Sequence, residues 1–304
     1  MIDDADLIGL EHAVQHALRS RDVAGLRLLG EGEISLVLGA GVGPDGIGPA
    51  WACKRLPPFP TGIAADRYAA TIDRYVAELT RRGIRVVDTH VRRVHGADGS
   101  VVLYCVQPAL PATGLAVDLV RDDRGRAPAL IADIVETVLA VTDPSVGLDA
   151  QLSNWAIVED RLTYFDITTP LSRGADGAPE LDTEVFLASL PWMLRAPVRR
   201  FVLPGIIARY HDPRSVILDL ASNLIKESLD EFVPAVLTSA AGRVEPPLTE
   251  GEVRTDRRND ARTWAALQAV RRVDRVWQRH VRRRTYPFLL PTRSSKSGTG
   301  AIRG

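Results

Sequence analysis

Lysine is almost missing from this chain. Of its 38 lysine and arginine residues only Lys54, Lys226 and Lys296 are lysine, so arginine is the default cation. A lysine at Lys54 suggests a task that a planar guanidinium does poorly. Cysteine is as scarce: Cys53 and Cys105 stand alone. Two cysteines without C-x-x-C spacing exclude a disulfide framework and a zinc site of that type, and they point to a reduced, cytoplasmic setting. No apolar run reaches about 18 residues, so no membrane-spanning helix is expected. The N-terminus, MIDDADLIGLEHAV, is acidic and lacks the basic start and apolar core of a signal peptide. No Gly-Lys-Ser/Thr is present, which removes a Walker A loop, and no G-x-S-x-G elbow points to an α/β-hydrolase.

What is present is the balance of an ordinary globular protein, 45% hydrophobic and 25% charged over 304 residues. That length accommodates one large domain or two lobes around a cleft. The net charge of zero hides an asymmetry. From Arg254 onward the charged residues are mostly arginine, opposed only by Asp256, Asp260 and Asp274.

The pattern along the chain changes character once. Residues 3–20 read as a helix capped by Asp3 or Asp4, with Leu7, Leu10, Val14 and Leu18 at helical spacing. LRLLGEGEISLVLGA reads as two strands and a tight turn, and WACKRL as a third strand ended by prolines. Residues 63–82 form an amphipathic helix closed by Gly83. Two strands follow around GADGS, ending at Gln107-Pro108. Beyond them come an apolar helix at 128–141 and a hairpin turning at Glu159-Asp160. From residue 183 the pattern is helical and interrupted by prolines, and an Arg-rich helix covers 255–284. The fold class is therefore α+β. A leading helix and a small antiparallel sheet with one helix inserted occupy 1–107, a mainly helical part 108–290, and a disordered tail 291–304.

Four local signals carry chemistry. The first is Gly30-Glu31-Gly32-Glu33-Ile34-Ser35-Leu36-Val37, between two strands. Glycines there let backbone N–H groups approach phosphate oxygens, although a plain hairpin turn has the same composition. Ala52-Cys53-Lys54 on the next strand is the second signal: an ammonium beside a glycine loop can neutralise phosphate as a compact charge. The third is Glu78 on the following helix, placed to hold Lys54 or simply solvated beside Arg81 and Arg82. The fourth is Asp149 and Asn154, five apart before the hairpin, with Asp166 after it. Hard oxygen donors of this kind suit Mg²⁺, whereas each alone also reads as a turn or capping residue. His12 and His16 share a helix face, but no third ligand lies near them in sequence, so they read as surface histidines.

Taken in order, these motifs resemble the protein-kinase-like superfamily, and in character its small-molecule phosphotransferases such as the aminoglycoside and choline kinase-like enzymes. The resemblance runs from Gly30 to Asp166. It implies a two-lobed fold that binds ATP and Mg²⁺ and transfers phosphoryl to a small hydroxylated molecule. By it, Gly30, Gly32 and Ser35 would line the phosphate loop, with Val37 and Ala52 in the same nucleotide site. Lys54 would contact phosphates and pair with Glu78, and Gln107 would lie at the adenine-binding hinge. Asp149 would orient or deprotonate the acceptor hydroxyl, while Asn154 and Asp166 would hold the metal. The chain departs from the family at Gly147-Leu148, where His-Arg stands in protein kinases, and at Ile167-Thr168, where Phe-Gly follows the metal aspartate. Those departures leave a second reading, a pseudokinase-like scaffold acting through a protein partner. A third is a nucleic-acid or anionic-membrane binder working through the Arg-rich C-terminal helix.

Overall fold

A computed structural model describes residues 2–20, 22–31, 35–96, 99–188 and 190–262. The expected helix at 255–284 and the expected disordered tail therefore lie mostly outside the described residues.

The first helix, α1 (Asp4–Ser20), is capped by Asp3, whose Oδ1 accepts from the Asp6 N–H at 2.7 Å. Five strands follow with one helix among them: β1 (Leu28–Glu31), β2 (Leu36–Ala40), β3 (Trp51–Arg55), α2 (Gly62–Arg81), β4 (His90–His95) and β5 (Val101–Pro108). They form one antiparallel sheet in the order β1-β2-β3-β5-β4. Register decides what each face carries, because side chains alternate along a strand. Val37 pairs with Lys54, Lys54 with Cys105, and Ala52 with Gln107, so these residues share one face. Leu38, Cys53, Arg55, Tyr104 and Val106 lie on the other.

That second face is closed by α1. Leu7, Val14 and Leu18 are fully buried against Leu38, Cys53, Tyr104 and Val106, each contributing about 1.5–3 kcal/mol by burial. Within this apolar layer sits a buried ion pair. Arg55 donates to both carboxylate oxygens of Glu11, at 2.7 and 2.8 Å. Tyr104 Oη at 2.7 Å and Gln15 Nε2 at 2.7 Å complete the acceptor set of Glu11. His12 and His16 point outward from the same helix and are exposed.

On the first face lies α2. Thr61 caps it by accepting from the Ala64 N–H, and Tyr68, Ile72, Tyr75 and Leu79 form its buried stripe. Gly83 at φ 93° turns the chain out of it. The remainder is mainly helical: α3 (Ala116–Asp122), α4 (Ala127–Val141), α5 (Glu184–Leu187), α6 (Trp192–Pro197), α7 (Leu203–Tyr210), α8 (Pro213–Lys226) and α9 (Val233–Ala240). The exception is the two-stranded hairpin β6 (Trp155–Val158) and β7 (Arg161–Tyr164). Glu159 and Asp160 both take positive φ at its turn. The α+β class expected from the pattern is the one observed. The prolines behave less as breaks than as starts: Pro204, Pro213 and Pro234 occupy the first turns of α7, α8 and α9. No described helix is long and apolar enough to cross a membrane.

Removing one partner of the Glu11–Arg55 pair strands a buried charge. Glu11→Ala should cost about 3–5 kcal/mol in urea unfolding, while the paired change Glu11→Leu with Arg55→Met should cost far less. The Glu11 carboxyl is pushed up by burial, but Arg55, Tyr104 and Gln15 hold it below its ordinary value. Its contribution is thus present above the unfolded carboxylate range and fades as pH falls through the folded value. Equal costs for the single and double variants would contradict this account.

Candidate functional site

The end of β7 and the segment after it meet the face of the sheet that carries Lys54. Lys54 Nζ on β3 donates to Asp166 Oδ1 at 2.7 Å, an ion pair whose side chains are 19% and 25% exposed. Thr168 donates to the same oxygen through Oγ1 at 2.9 Å and through its N–H at 3.3 Å. Oδ2 of Asp166 accepts nothing among the described residues. Burial alone raises the Asp166 carboxyl, but the ammonium of Lys54 and the Thr168 hydrogen bonds overcome this and hold it below its ordinary value. These partners favour the ionised form of Asp166.

Asn154 is buried at the start of β6 and holds the preceding loop. Its Nδ2 donates to the Asp149 carbonyl at 3.0 Å, and its own carbonyl accepts from the Phe165 N–H at 3.1 Å. Its Oδ1 is left without a protein partner among the described residues. Asn154 thereby ties the Asp149 loop to the strand leading into Asp166. Tyr164 Oη adds a second donor to the Asp149 carbonyl, at 3.2 Å. Gln107 closes the arrangement from the sheet, its Nε2 donating to the Phe165 carbonyl at 2.8 Å and to Thr89 Oγ1 at 2.9 Å.

The Asp149 loop is also clamped from α2 and α7. Tyr75 Oη donates to the Gly147 carbonyl at 2.9 Å, and the Leu148 N–H donates to the Tyr210 carbonyl at 3.0 Å. Gly147 is required by packing. A Cβ there would lie 2.8 Å from the Tyr210 carbonyl oxygen and 3.1 Å from the His211 ring. The space that a residue-147 side chain would need is thus taken by backbone and by the buried imidazole of His211.

One carboxylate of this site has no sequence motif. Gln151, inside the Asp149-to-Asn154 spacing, gives its N–H to Asp149 Oδ1 at 3.3 Å and its Nε2 to Asp219 Oδ2 at 3.1 Å. Asn223 Nδ2 donates to Gln151 Oε1 at 3.0 Å, and Asn223 Oδ1 is buried without a partner among the described residues. Asp219 and Asn223 stand four apart on α8, so they share one side of that helix. Burial raises the Asp149 carboxyl above its ordinary value, and the neighbouring charges of Asp219 and Asp166 raise it further. Asp219 is raised as well, chiefly by burial. Asp149 on the loop and Asp219 on α8 therefore both hold protons more tightly than a surface aspartate.

Not every expected residue joins this cluster. Glu78 does not meet Lys54. Its carboxylate takes Arg81 at 2.6 Å and Arg82 at 2.7 Å, and these hydrogen bonds hold it down at about 2. Arg82 continues to Asp143 and Ser145, so Glu78 braces the approach to the Asp149 loop. The cause is local: both arginines lie within one helical turn of Glu78, whereas Lys54 is claimed by Asp166. Gly30 lies on β1 opposite Val37, and Ser35 is buried just before β2. Gly32 lies outside the described residues.

A family profile described as "Family of unknown function (DUF6206)" matches residues 10–275. The chain belongs to the DUF6206 family. No curated protein matches it by sequence. Among solved structures, one titled "WaaP in complex with acyl carrier protein" is 16% identical to this DUF6206 chain, with a TM-score of 0.33, over 75% of this chain and 92% of that one. The MAP kinase LmaMPK10 from Leishmania major is 13% identical, with a TM-score of 0.31, over 80% and 90%. TM-scores this low carry no weight for the roles of individual residues, which rest on the geometry above.

Asp219→Asn removes a neighbouring charge from Asp149. The Asp149 carboxyl should then titrate closer to an ordinary aspartate when followed by carboxyl ¹³C NMR. Because its folded value is raised, Asp149 favours the fold at low pH, and that contribution is lost as pH rises through the folded value. Asp149→Asn should flatten this part of the stability profile. An Asp149 titration unmoved by Asp219→Asn would contradict the coupling.

Proposed function

We propose that this protein has a kinase-like nucleotide site and transfers phosphoryl from Mg²⁺-ATP to a hydroxyl group of a small molecule. The sheet segment up to residue 107 and the helical segment after it form the two lobes. The observation that carries the reading is the Lys54–Asp166 pair. Lys54, one of three lysines in the chain, sits on the middle strand of the sheet and meets an aspartate 112 positions later. Asp166 is in turn tied to Asn154 and Asp149 through the Asn154–Phe165 and Asn154–Asp149 hydrogen bonds.

The donor set fits Mg²⁺. Asn154 Oδ1 and Asp166 Oδ2 are side-chain oxygens on either side of the hairpin left free by the hydrogen bonding of the described residues, and a magnesium site of few protein oxygens completed by phosphate and water needs no more. Bound there, the ion would neutralise phosphate charge. Lys54 would turn from Asp166 to the phosphates, so the present ion pair is its resting position. Val37 and Ala52 share the sheet face of Lys54 and would pack on the nucleotide. Asp149 would accept the proton of the acceptor hydroxyl. Its raised proton affinity makes it a stronger base once ionised, which is how a carboxylate becomes useful near neutral pH.

Replacement of the usual histidine by Gly147 does not leave the loop unsupported, because His211, Tyr210 and Tyr75 hold it. The observation favouring the alternative, a scaffold that binds nucleotide without turnover, is the same raised Asp149: a carboxyl that keeps its proton accepts no other.

Asp149→Ala should abolish ATP consumption, by about 10³-fold or more, while Mg²⁺-ATP still raises the melting temperature. Lys54→Ala and Asp166→Ala should reduce that stabilisation itself. ATP consumption unchanged in all three variants would overturn the proposal. Nucleotide stabilisation without consumption in the unmodified protein would select the scaffold.

A further inference from the structure

The helical run from Trp192 to Tyr210 is unlike the rest of the molecule. It consists of α6, a π-helical turn at Val198–Val202 and α7, and Ile207 is its single fully buried residue. Large apolar side chains stand out of it instead: Trp192 is 65% exposed and Phe201 77%, with Met193, Val202 and Ile206 also exposed. Five such residues within four turns form an apolar stretch that is exposed among the described residues, more than the scattered exposure common on protein surfaces.

Charge says what covers it. Between Glu184 and Asp212 there is no acidic residue, and four arginines fall in the same interval. Arg199 pairs with Glu184 and Arg209 with Asp256 at the two flanks. The other two meet no carboxylate among the described residues: Arg195 donates to the Leu190 and Ala188 carbonyls, and Arg200 lies 5.8 Å from the Phe201 ring centre. A partner must therefore take apolar side chains and tolerate or welcome cations. Residues 263–304 of this chain are a poor match, since they carry nine arginines and Lys296 against Asp274 alone. A second copy would bring the same arginines.

We propose that residues 191–206 dock on an anionic lipid surface, with Trp192, Met193, Phe201, Val202 and Ile206 entering the headgroup–acyl boundary and Arg195 and Arg200 meeting lipid phosphates. An apolar, aromatic and arginine-bearing helical strip lying flat is the arrangement that interfacial helices use. The like-charged residues 263–304 would add attraction to the same surface rather than compete with the strip. Docking here is independent of the phosphoryl-transfer reading.

The test is co-sedimentation of the full chain with vesicles of phosphatidylcholine alone and of phosphatidylcholine mixed equally with phosphatidylserine. Binding to the mixed vesicles is expected, weakening as salt rises. The double variant Trp192→Ser/Phe201→Ser should bind about tenfold less, and Arg200→Glu should also weaken binding. Circular dichroism of each variant checks that it folds. The proposal is overturned if neither vesicle is bound, or if the double variant binds like the unmodified chain, which would place binding on residues 263–304 instead. It is equally overturned if light scattering shows a dimer that the double variant loses, since the strip would then join two copies.

Discussion

Lys54 and Asp166 come from opposite ends of the folding problem: one from the middle strand of a sheet, the other from the end of a hairpin 112 positions away. Their contact requires that the sheet present Lys54 on the face opposite α1 and that the hairpin return to that face. The first condition is met by register, since Val37, Lys54 and Cys105 are aligned partners. The second is met by Asn154, Gln107 and the tyrosines, which hold the hairpin and the Asp149 loop by their backbone carbonyls. With both partners only partly exposed, the pair sits where a ligand can reach it and where charge interacts more strongly than in bulk water.

The two faces of the sheet divide the work. On the closed face α1 and the Glu11–Arg55–Tyr104 network fix β3 and β5 by packing and buried hydrogen bonds. Arg55 follows Lys54 directly, so the residue that anchors β3 to α1 and the residue that faces the site point in opposite directions from adjacent positions. A strand pinned on one side holds its other side in place, which is what a site built on a small sheet needs.

Much of the fold was legible because it rests on local pattern. The α1 and α2 stripes, the Gly83 exit and the Glu159-Asp160 turn all follow from period and turn chemistry. Asp149, Asn154 and Asp166 were legible as an ordered set of oxygen donors around a hairpin. What sequence missed depends on long-range geometry. Glu78 reads as a partner for Lys54, but adjacent arginines on its own helix claim it first. Gly147 reads as a lost histidine until the Tyr210 carbonyl and the His211 ring are seen in its place. Asp219 lies 68 positions from Gln151 in a helix without a motif. Its one sequence signal is a pair of polar residues, Asp219 and Asn223, four apart among the buried Val216, Ile217, Leu220, Ala221 and Leu224.

Lys54 allows a direct test, because only Lys226 and Lys296 compete with it for lysine-directed chemistry. ATP carrying a reactive acyl phosphate transfers its acyl group to a lysine held against the phosphates, and peptide mass spectrometry locates the adduct. The account predicts labelling at Lys54 that excess Mg²⁺-ATP suppresses and that Asp166→Ala alters. Labelling spread over Lys226 and Lys296, or labelling at Lys54 that excess Mg²⁺-ATP leaves unchanged, would contradict a nucleotide site at this pair.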